Sequence, residues 1–286
     1  MTGFFNVYKE AGYTSHDVVA IIRKLTRSKV GHTGTLDPEA EGVLPICIGR
    51  ATKLADYVMG QDKSYIAEVV LGVVTDTGDM TGQVLNQTTV NLGSEIILET
   101  VEKFRGLQMQ LPPMYSAIKV GGKKLYELAR KGETVERKPR EVEIKAIDVV
   151  GFNENKFTIN VTCSKGTYIR SLCMDIGEAM GCGAVMGSLL RTRSGGFSLD
   201  AAFKIEQIKE AAENDRLSDI LLDVESVLPF PRAYVKPEGL SMAKNGNPLP
   251  IELVDNPSAR VWLHGQDGLI GLFSEKNDKL RLEVMM

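Results

Sequence analysis

Cysteine and histidine are scarce in this chain, with four of the first and three of the second among 286 residues. Cys47, Cys163, Cys173 and Cys182 form no CxxC pair and sit among apolar or small residues. A zinc site needs closely spaced Cys and His ligands, so no metal is expected. The cysteines read instead as reduced, small core residues. Long apolar runs are missing as well. None approaches the roughly 20 residues of a membrane span. Met1 to Asn6 shows no basic segment leading into an apolar one, so no secretory leader is expected. The expected compartment is the cytoplasm.

What is present is the mixture of an ordinary globular protein, 43% hydrophobic and 25% charged. The length suits one large domain and one small one. A formal net charge of -3 argues mildly against a nucleic-acid binder. Phosphates, however, respond to local potential rather than to the total. Residues 115–140 carry eight basic side chains against three acidic ones, whereas residues 205–225 carry two against seven. The molecule is polarised, so a polyanion can bind one face while the other repels it.

Periodicity predicts a helix over Ser15 to Leu25, with Thr14 or Ser15 as cap and Val18, Val19, Ile22 and Leu25 as its apolar stripe. Further helices are expected at Ala51 to Met59, Glu95 to Phe104, Leu125 to Lys131, Tyr168 to Met180 and Ile205 to Asn214. Val43 to Ile48 is a short apolar run. Ser64 to Val74 alternates as a strand, with Tyr65, Ala67, Val69 and Leu71 on one side. Val142 to Phe152 and Lys156 to Ser164 read as strands joined by a turn. No strict βαβ repeat appears, so an α+β fold with a mixed or antiparallel sheet is expected. Beyond Pro229 and Pro231 come short apolar runs at 259–263, 269–273 and 280–285, the pattern of a small β domain with Trp262 in its core.

The densest chemical signal is Gly31-His32-Thr33-Gly34-Thr35-Leu36-Asp37-Pro38-Glu39-Ala40-Glu41-Gly42. Its glycines permit tight turns and close approach of a ligand. Pro38 pushes Asp37 away from helical angles, so the carboxylate is presented from an extended loop. By spacing alone the segment reads first as a surface turn with an Asx-type hydrogen bond. A phosphate loop is a weaker alternative, because GxxxxGK[ST] is absent.

The stretch resembles the catalytic motif of the TruB family of tRNA pseudouridine synthases. The similarity continues through Leu44-Pro45-Ile46-Cys47-Ile48-Gly49-Arg50-Ala51-Thr52-Lys53, Lys63-Ser64-Tyr65 and Thr75-Asp76-Thr77-Gly78-Asp79. It resumes at Pro112-Pro113-Met114-Tyr115-Ser116-Ala117, Lys123-Lys124-Leu125-Tyr126-Glu127 and Cys163-Ser164-Lys165-Gly166-Thr167-Tyr168-Ile169-Arg170. It ends at Leu189-Leu190-Arg191-Thr192-Arg193-Ser194-Gly195. Those segments keep the family's order over about the first 230 residues.

The resemblance implies a pseudouridine synthase catalytic domain over residues 1–230 and a PUA-like RNA-binding β domain over 231–286. An RNA-clamping insertion falls at about 110–140. It implies isomerisation of the T-arm loop uridine of tRNA (position 55), a redox-neutral reaction with no cofactor. Asp37 is then the nucleophile, kept ionised by Arg170, which alone would read as a surface charge at a helix start. Tyr65 stacks on the uracil and helps remove its C5 proton, and Leu189 packs the opposite face. His32 occupies the space vacated by the everted nucleotide or supports it by stacking, and Lys53 and Tyr168 fall among the substrate-binding positions. Lys119, Lys123, Lys124, Arg130 and Lys131 would contact RNA phosphates. The expected partner is tRNA, met at the T arm and, through the C-terminal domain, at the acceptor stem. A monomer without membrane or obligate protein partner is expected.

Three rivals share parts of this pattern: a tRNA folding chaperone, a hydrolase using Asp37 and His32 as an acid–base pair, and the catalytic subunit of a guide-RNA complex. The compact acidic chain lacks long basic tails, which favours a guide-independent enzyme.

Overall fold

The structure is a computed structural model, and it describes every residue except Ala117 and every side chain but that of Lys124 as well. Ten strands form one mixed sheet. Across it run Phe203–Lys204, Gly3–Lys9, Glu41–Ile48, Ala184–Ser194, Lys63–Leu71, Lys156–Cys163, Arg140–Asn153 and Gly106–Gln110. Val30–His32 pairs with Glu41–Ile48, and Phe197–Ser198 pairs with Ala184–Ser194. The strand Ala184–Ser194 lies parallel to Glu41–Ile48 and antiparallel to Lys63–Leu71. Six strands between Arg232 and Met285 form a second, C-terminal sheet. The expected α+β class with a mixed sheet and a small C-terminal β domain is the architecture found.

One face of the large sheet is covered by helices. Ser15–Thr26 starts from a capping box, in which Thr14 and Asp17 satisfy each other's free backbone N–H groups. Its Val18 and Ile22 join Ile169, Leu172 and Ile176 of the helix Ile169–Ala179, and Ile205 and Ile208 of Ile205–Glu213. Together they pack on Phe5, Val7, Leu44, Ile46, Ala67 and Val69. Strand alternation sends neighbouring side chains to the opposite face. Phe4, Val43 and Cys47 pack there with Trp262, Leu272 and Val284 of the C-terminal sheet. The indole N–H of Trp262 donates to the Leu228 carbonyl at 2.7 Å. Trp262 is thus buried where the two sheets meet, not inside the small one.

Several elements differ from expectation. The segment 51–59 is a 3-10 turn, Gly49–Leu54, followed by a short helix, Ala55–Met59. The Ser64 strand stops at Leu71, because Gly72 takes φ +80 and accepts the Thr88 amide. Periodicity also missed Gly3–Lys9 and the central Ala184–Ser194. The latter carries Gly187, Arg191 and Arg193 and shifts register twice, between Met186 and Leu189 and between Arg191 and Arg193. A bulged strand with buried arginine breaks the two-residue pattern that marks strands. No helix among the described residues is long and apolar enough to cross a membrane.

Candidate active site

The loop after Val30–His32 returns to the sheet at Glu41, and Asp37 stands on it between two cavities. The larger, about 360 Å3, is walled by Tyr65, Tyr168, Arg170, Leu189 and Arg191 among others. The smaller, about 200 Å3, shares Asp37, Met186 and Leu189 and adds Asp79 and Met80.

Buried polar groups hold this loop from several directions. Ser15 Oγ donates to the Leu36 carbonyl at 3.1 Å and accepts the Leu36 amide at 2.9 Å. The Pro38 carbonyl accepts the Lys9 ammonium at 2.9 Å and the Gly12 amide at 3.0 Å. Lys9 is fully buried, and that burial pulls its pKa down to about 8. Asp37 is therefore pinned on both sides in sequence, at Leu36 and at Pro38.

Arg170 closes the constellation. It occupies the second position of the helix Ile169–Ala179 and is 4% exposed, so it is no surface charge. Its Nε lies 3.0 Å from Asp37 Oδ2 and 3.9 Å from Asp79 Oδ2. Nη1 donates to the Thr77 carbonyl at 3.1 Å and Nη2 to that of Tyr115 at 2.7 Å. The three motif segments carrying Asp37, Thr77–Asp79 and Tyr115 thus converge on one guanidinium, whose planar fork suits several acceptors at once. Burial raises the Asp37 pKa, Arg170 opposes that, and the neighbouring Asp79 adds to it. For Asp79 burial also acts upward, but hydrogen bonds from Thr81 and Thr77 outweigh it and hold the carboxyl below its ordinary value.

Tyr65 comes from the strand Lys63–Leu71, 8% exposed, with Ala67, Val69 and Leu71 buried as the alternation predicts. Burial raises its phenol, against the influence of Arg191. Leu189 lines both cavities. Tyr168 precedes the Arg170 helix, exchanges two hydrogen bonds with the Gln110 side chain, and stacks under Arg140 at 4.9 Å. These three expected positions share the cavity with Asp37 and Arg170.

Others fall elsewhere. His32 ends its strand and is not among the residues lining either cavity. Its Nδ1 accepts the Gly34 amide at 3.3 Å, and its ring meets His16 edge-on. Burial drops its pKa to about 4, so it is neutral. Lys53 is exposed on the 3-10 turn outside the cavity lining, near Arg50. Lys119, Lys123, Arg130 and Lys131 are exposed, and Arg130 lies over the Tyr126 ring at 5.4 Å. The side chain of Lys124 is outside the described ones.

Two buried cations of the lining escaped the sequence reading. Arg191, 2% exposed, donates from Nε to Val43 O at 2.7 Å, from Nη2 to Gly34 O at 3.1 Å and from Nη1 to Thr35 O at 3.4 Å. Lys63 is buried, gives its ammonium to the Met59 and Gln61 carbonyls at 2.6 Å each, and has its pKa pulled down to about 8. Both lay within the recognised motifs, but nothing in their spacing distinguishes a buried cation from an exposed one.

Residues 23–169 match the model of the TruB family pseudouridylate synthase N-terminal domain. Residues 170–229 match that of the tRNA pseudouridylate synthase B C-terminal domain, which ends before the six-stranded sheet. The tRNA pseudouridine synthase B of Alkaliphilus oremlandii is 51% identical over 86% of this chain and 82% of its own length. That of Clostridium tetani is 41% identical over 100% of both chains. Among solved structures, a Cbf5-Nop10-Gar1 complex superposes with a TM-score of 0.74 at 25% identity, covering 99% of this chain and 84% of that one. With the two family models matching residues 23–169 and 170–229 and a relative 41% identical over the full length, the chain belongs to the TruB family of pseudouridylate synthases.

Proposed function

We propose that the chain isomerises uridine to pseudouridine in tRNA, at the T-arm loop uridine of position 55, with Asp37 as nucleophile on an everted base. The observation that carries this reading is the 3.0 Å ion pair between Arg170 and Asp37 at the wall of the larger cavity. Burial favours the protonated carboxyl, which cannot act as a nucleophile, and the buried guanidinium opposes that tendency. The reaction breaks the C1′–N1 bond, turns the uracil over and joins C1′ to C5; C5 gives up its proton and N1 gains one, directly or by exchange through solvent. No oxidant, reductant or co-substrate enters the balance.

In this reading the flipped uracil lies between the Tyr65 ring and Leu189, with Tyr65 poised to help remove the C5 proton. Tyr168 borders the same space, and neutral His32 supports the nucleotide backbone at the loop entrance. Eversion costs a few kcal/mol, which phosphate contacts along the basic insertion at about 110–140 offset. Lys53, with exposed Arg27, Lys29 and Arg50, extends positive charge toward the C-terminal sheet; none of the four has an ion-pair partner among the described residues. That sheet, over 231–286, acts as a PUA-like domain against the acceptor stem, and residues 1–230 form the catalytic unit. The enzyme works as a cytoplasmic monomer without a guide RNA. The names of its relatives at 41–51% identity favour tRNA over the other RNA substrates.

The test is to incubate pure protein with an unmodified tRNA transcript, without additives and then with EDTA, and to map pseudouridine. The expected result is pseudouridine at one T-loop uridine in both cases. Asp37→Asn abolishes it while tRNA affinity stays within roughly threefold. Isomerisation by Asp37→Asn would refute the nucleophile assignment, loss of pseudouridine with EDTA would contradict a metal-free reaction, and cleavage of the tRNA without pseudouridine would favour a hydrolase.

A further inference from the structure

We infer that Ser116 is a substrate-binding residue whose hydroxyl hydrogen-bonds the target nucleotide; the inference rests on the reading of the cavity given above and goes beyond it in naming a contact. Ser116 is 5% exposed and lines the cavity beside Tyr115, Tyr168 and Arg170. Its backbone is fully engaged. The amide donates to the Met114 carbonyl at 2.9 Å, and the carbonyl accepts the Tyr126 amide at 3.1 Å. The preceding carbonyl, of Tyr115, is held by Arg170 at 2.7 Å. The peptide is thus fixed to the same guanidinium that holds Asp37, while Ser116 Oγ has no partner among the described residues.

Four other buried side-chain atoms share that condition, on Asn6, Gln61, Arg140 and Ser194, and none of those residues lines the cavity. The nearby hydroxyls of Ser164 and Thr167 are committed to backbone groups. Arg170 is committed to Asp37, Thr77 and Tyr115. A buried hydroxyl without a partner is unfavourable, and alanine would fill the same place without that cost. Its position at the wall of a ligand cavity explains its presence: the missing partner is the ligand. A uridine nucleotide offers two base carbonyls, an N3–H and a ribose 2′-hydroxyl, and a serine hydroxyl both donates and accepts.

This assignment makes stability and activity move in opposite senses. Ser116→Ala is expected to leave Tm unchanged or raise it by about 2 °C, because an orphan hydroxyl is removed. The same variant loses about 10-fold in kcat/KM on a tRNA transcript, the size of one hydrogen bond to substrate. The measurement is repeated with 2′-deoxyuridine at the target position. If the deficit disappears there, the partner is the ribose hydroxyl; if it persists, the partner is the base edge. Either result supports the contact. A Ser116→Ala enzyme with wild-type kcat/KM within twofold overturns it. So does a variant whose activity loss accompanies a Tm drop of more than about 4 °C, since that marks a packing role. A wild-type enzyme that modifies no uridine would instead defeat the underlying reading of the site.

Discussion

Arg191 Nη2 donates to the carbonyl oxygen of Gly34 at 3.1 Å, tying the central strand of the sheet to the loop that presents Asp37. In the sheet Arg191 lies opposite Gly42 on one side and Tyr65 on the other. Arg191 therefore joins the Asp37 loop, through its guanidinium, to the strand that pairs with that of Tyr65. Replacement by methionine leaves the Val43 and Gly34 carbonyls without their donor. The expected cost is at least about 2 kcal/mol of unfolding free energy, measured by urea denaturation. Arg191→Lys does not restore activity, because an ammonium cannot span the same carbonyls.

Gly42 tests the same junction from the opposite side. A Cβ there would lie 2.2 Å from the Arg191 carbonyl oxygen, and its φ of +107 is one that only glycine adopts readily. Gly42→Ala should lower stability by about 2–4 kcal/mol, read from thermal or urea melting. A melt within about 0.5 kcal/mol of wild type would contradict this register.

The pH profile follows from opposed shifts. On the proposed mechanism Asp37 acts ionised, and burial raises its pKa, so kcat/KM is expected to fall as pH drops through that raised value. Arg170→Lys weakens the opposing pull, so the acid limb moves to higher pH. A limb that stays put or moves down would mean Arg170 does not govern this carboxyl. For folding, the raised Asp37 contributes stability below its unfolded pKa that is lost as pH rises through the folded one. Asp79, held low by Thr81 and Thr77, contributes stability above its unfolded pKa that is lost as pH falls through the folded one.

The exposed basic residues of the insertion should govern affinity rather than chemistry. Neutralising Arg130 and Lys131 to glutamine is expected to weaken tRNA binding and to reduce the slope of log K against log salt by about 1 for each phosphate that goes unneutralised. Single-turnover rate at saturating enzyme should change by less than about twofold. An unchanged slope would place the RNA elsewhere.

Part of the site was legible in the sequence, but through motif resemblance rather than local pattern. By pattern alone Asp37 reads as a surface turn, Tyr65 as strand packing and Arg170 as a surface charge at a helix start; it is the ordered set of motifs that singles them out, and the fold brings the three to one cavity. The helix Ser15–Thr26 was plain, because capping and a four-residue apolar rhythm are properties of neighbouring residues. Tertiary structure alone decided which polar side chains are buried and what they hold. Lys9, Lys63 and Arg191 look like surface residues in sequence, yet each is buried against backbone carbonyls of distant or looping segments. The strand Ala184–Ser194 was hidden for the same reason: its register shifts and its arginine make sense only beside Gly42 and Tyr65. Local pattern is set by interactions within a few residues, whereas burial of charge is set by which segments the fold brings together, across separations such as that from Arg191 to Gly34.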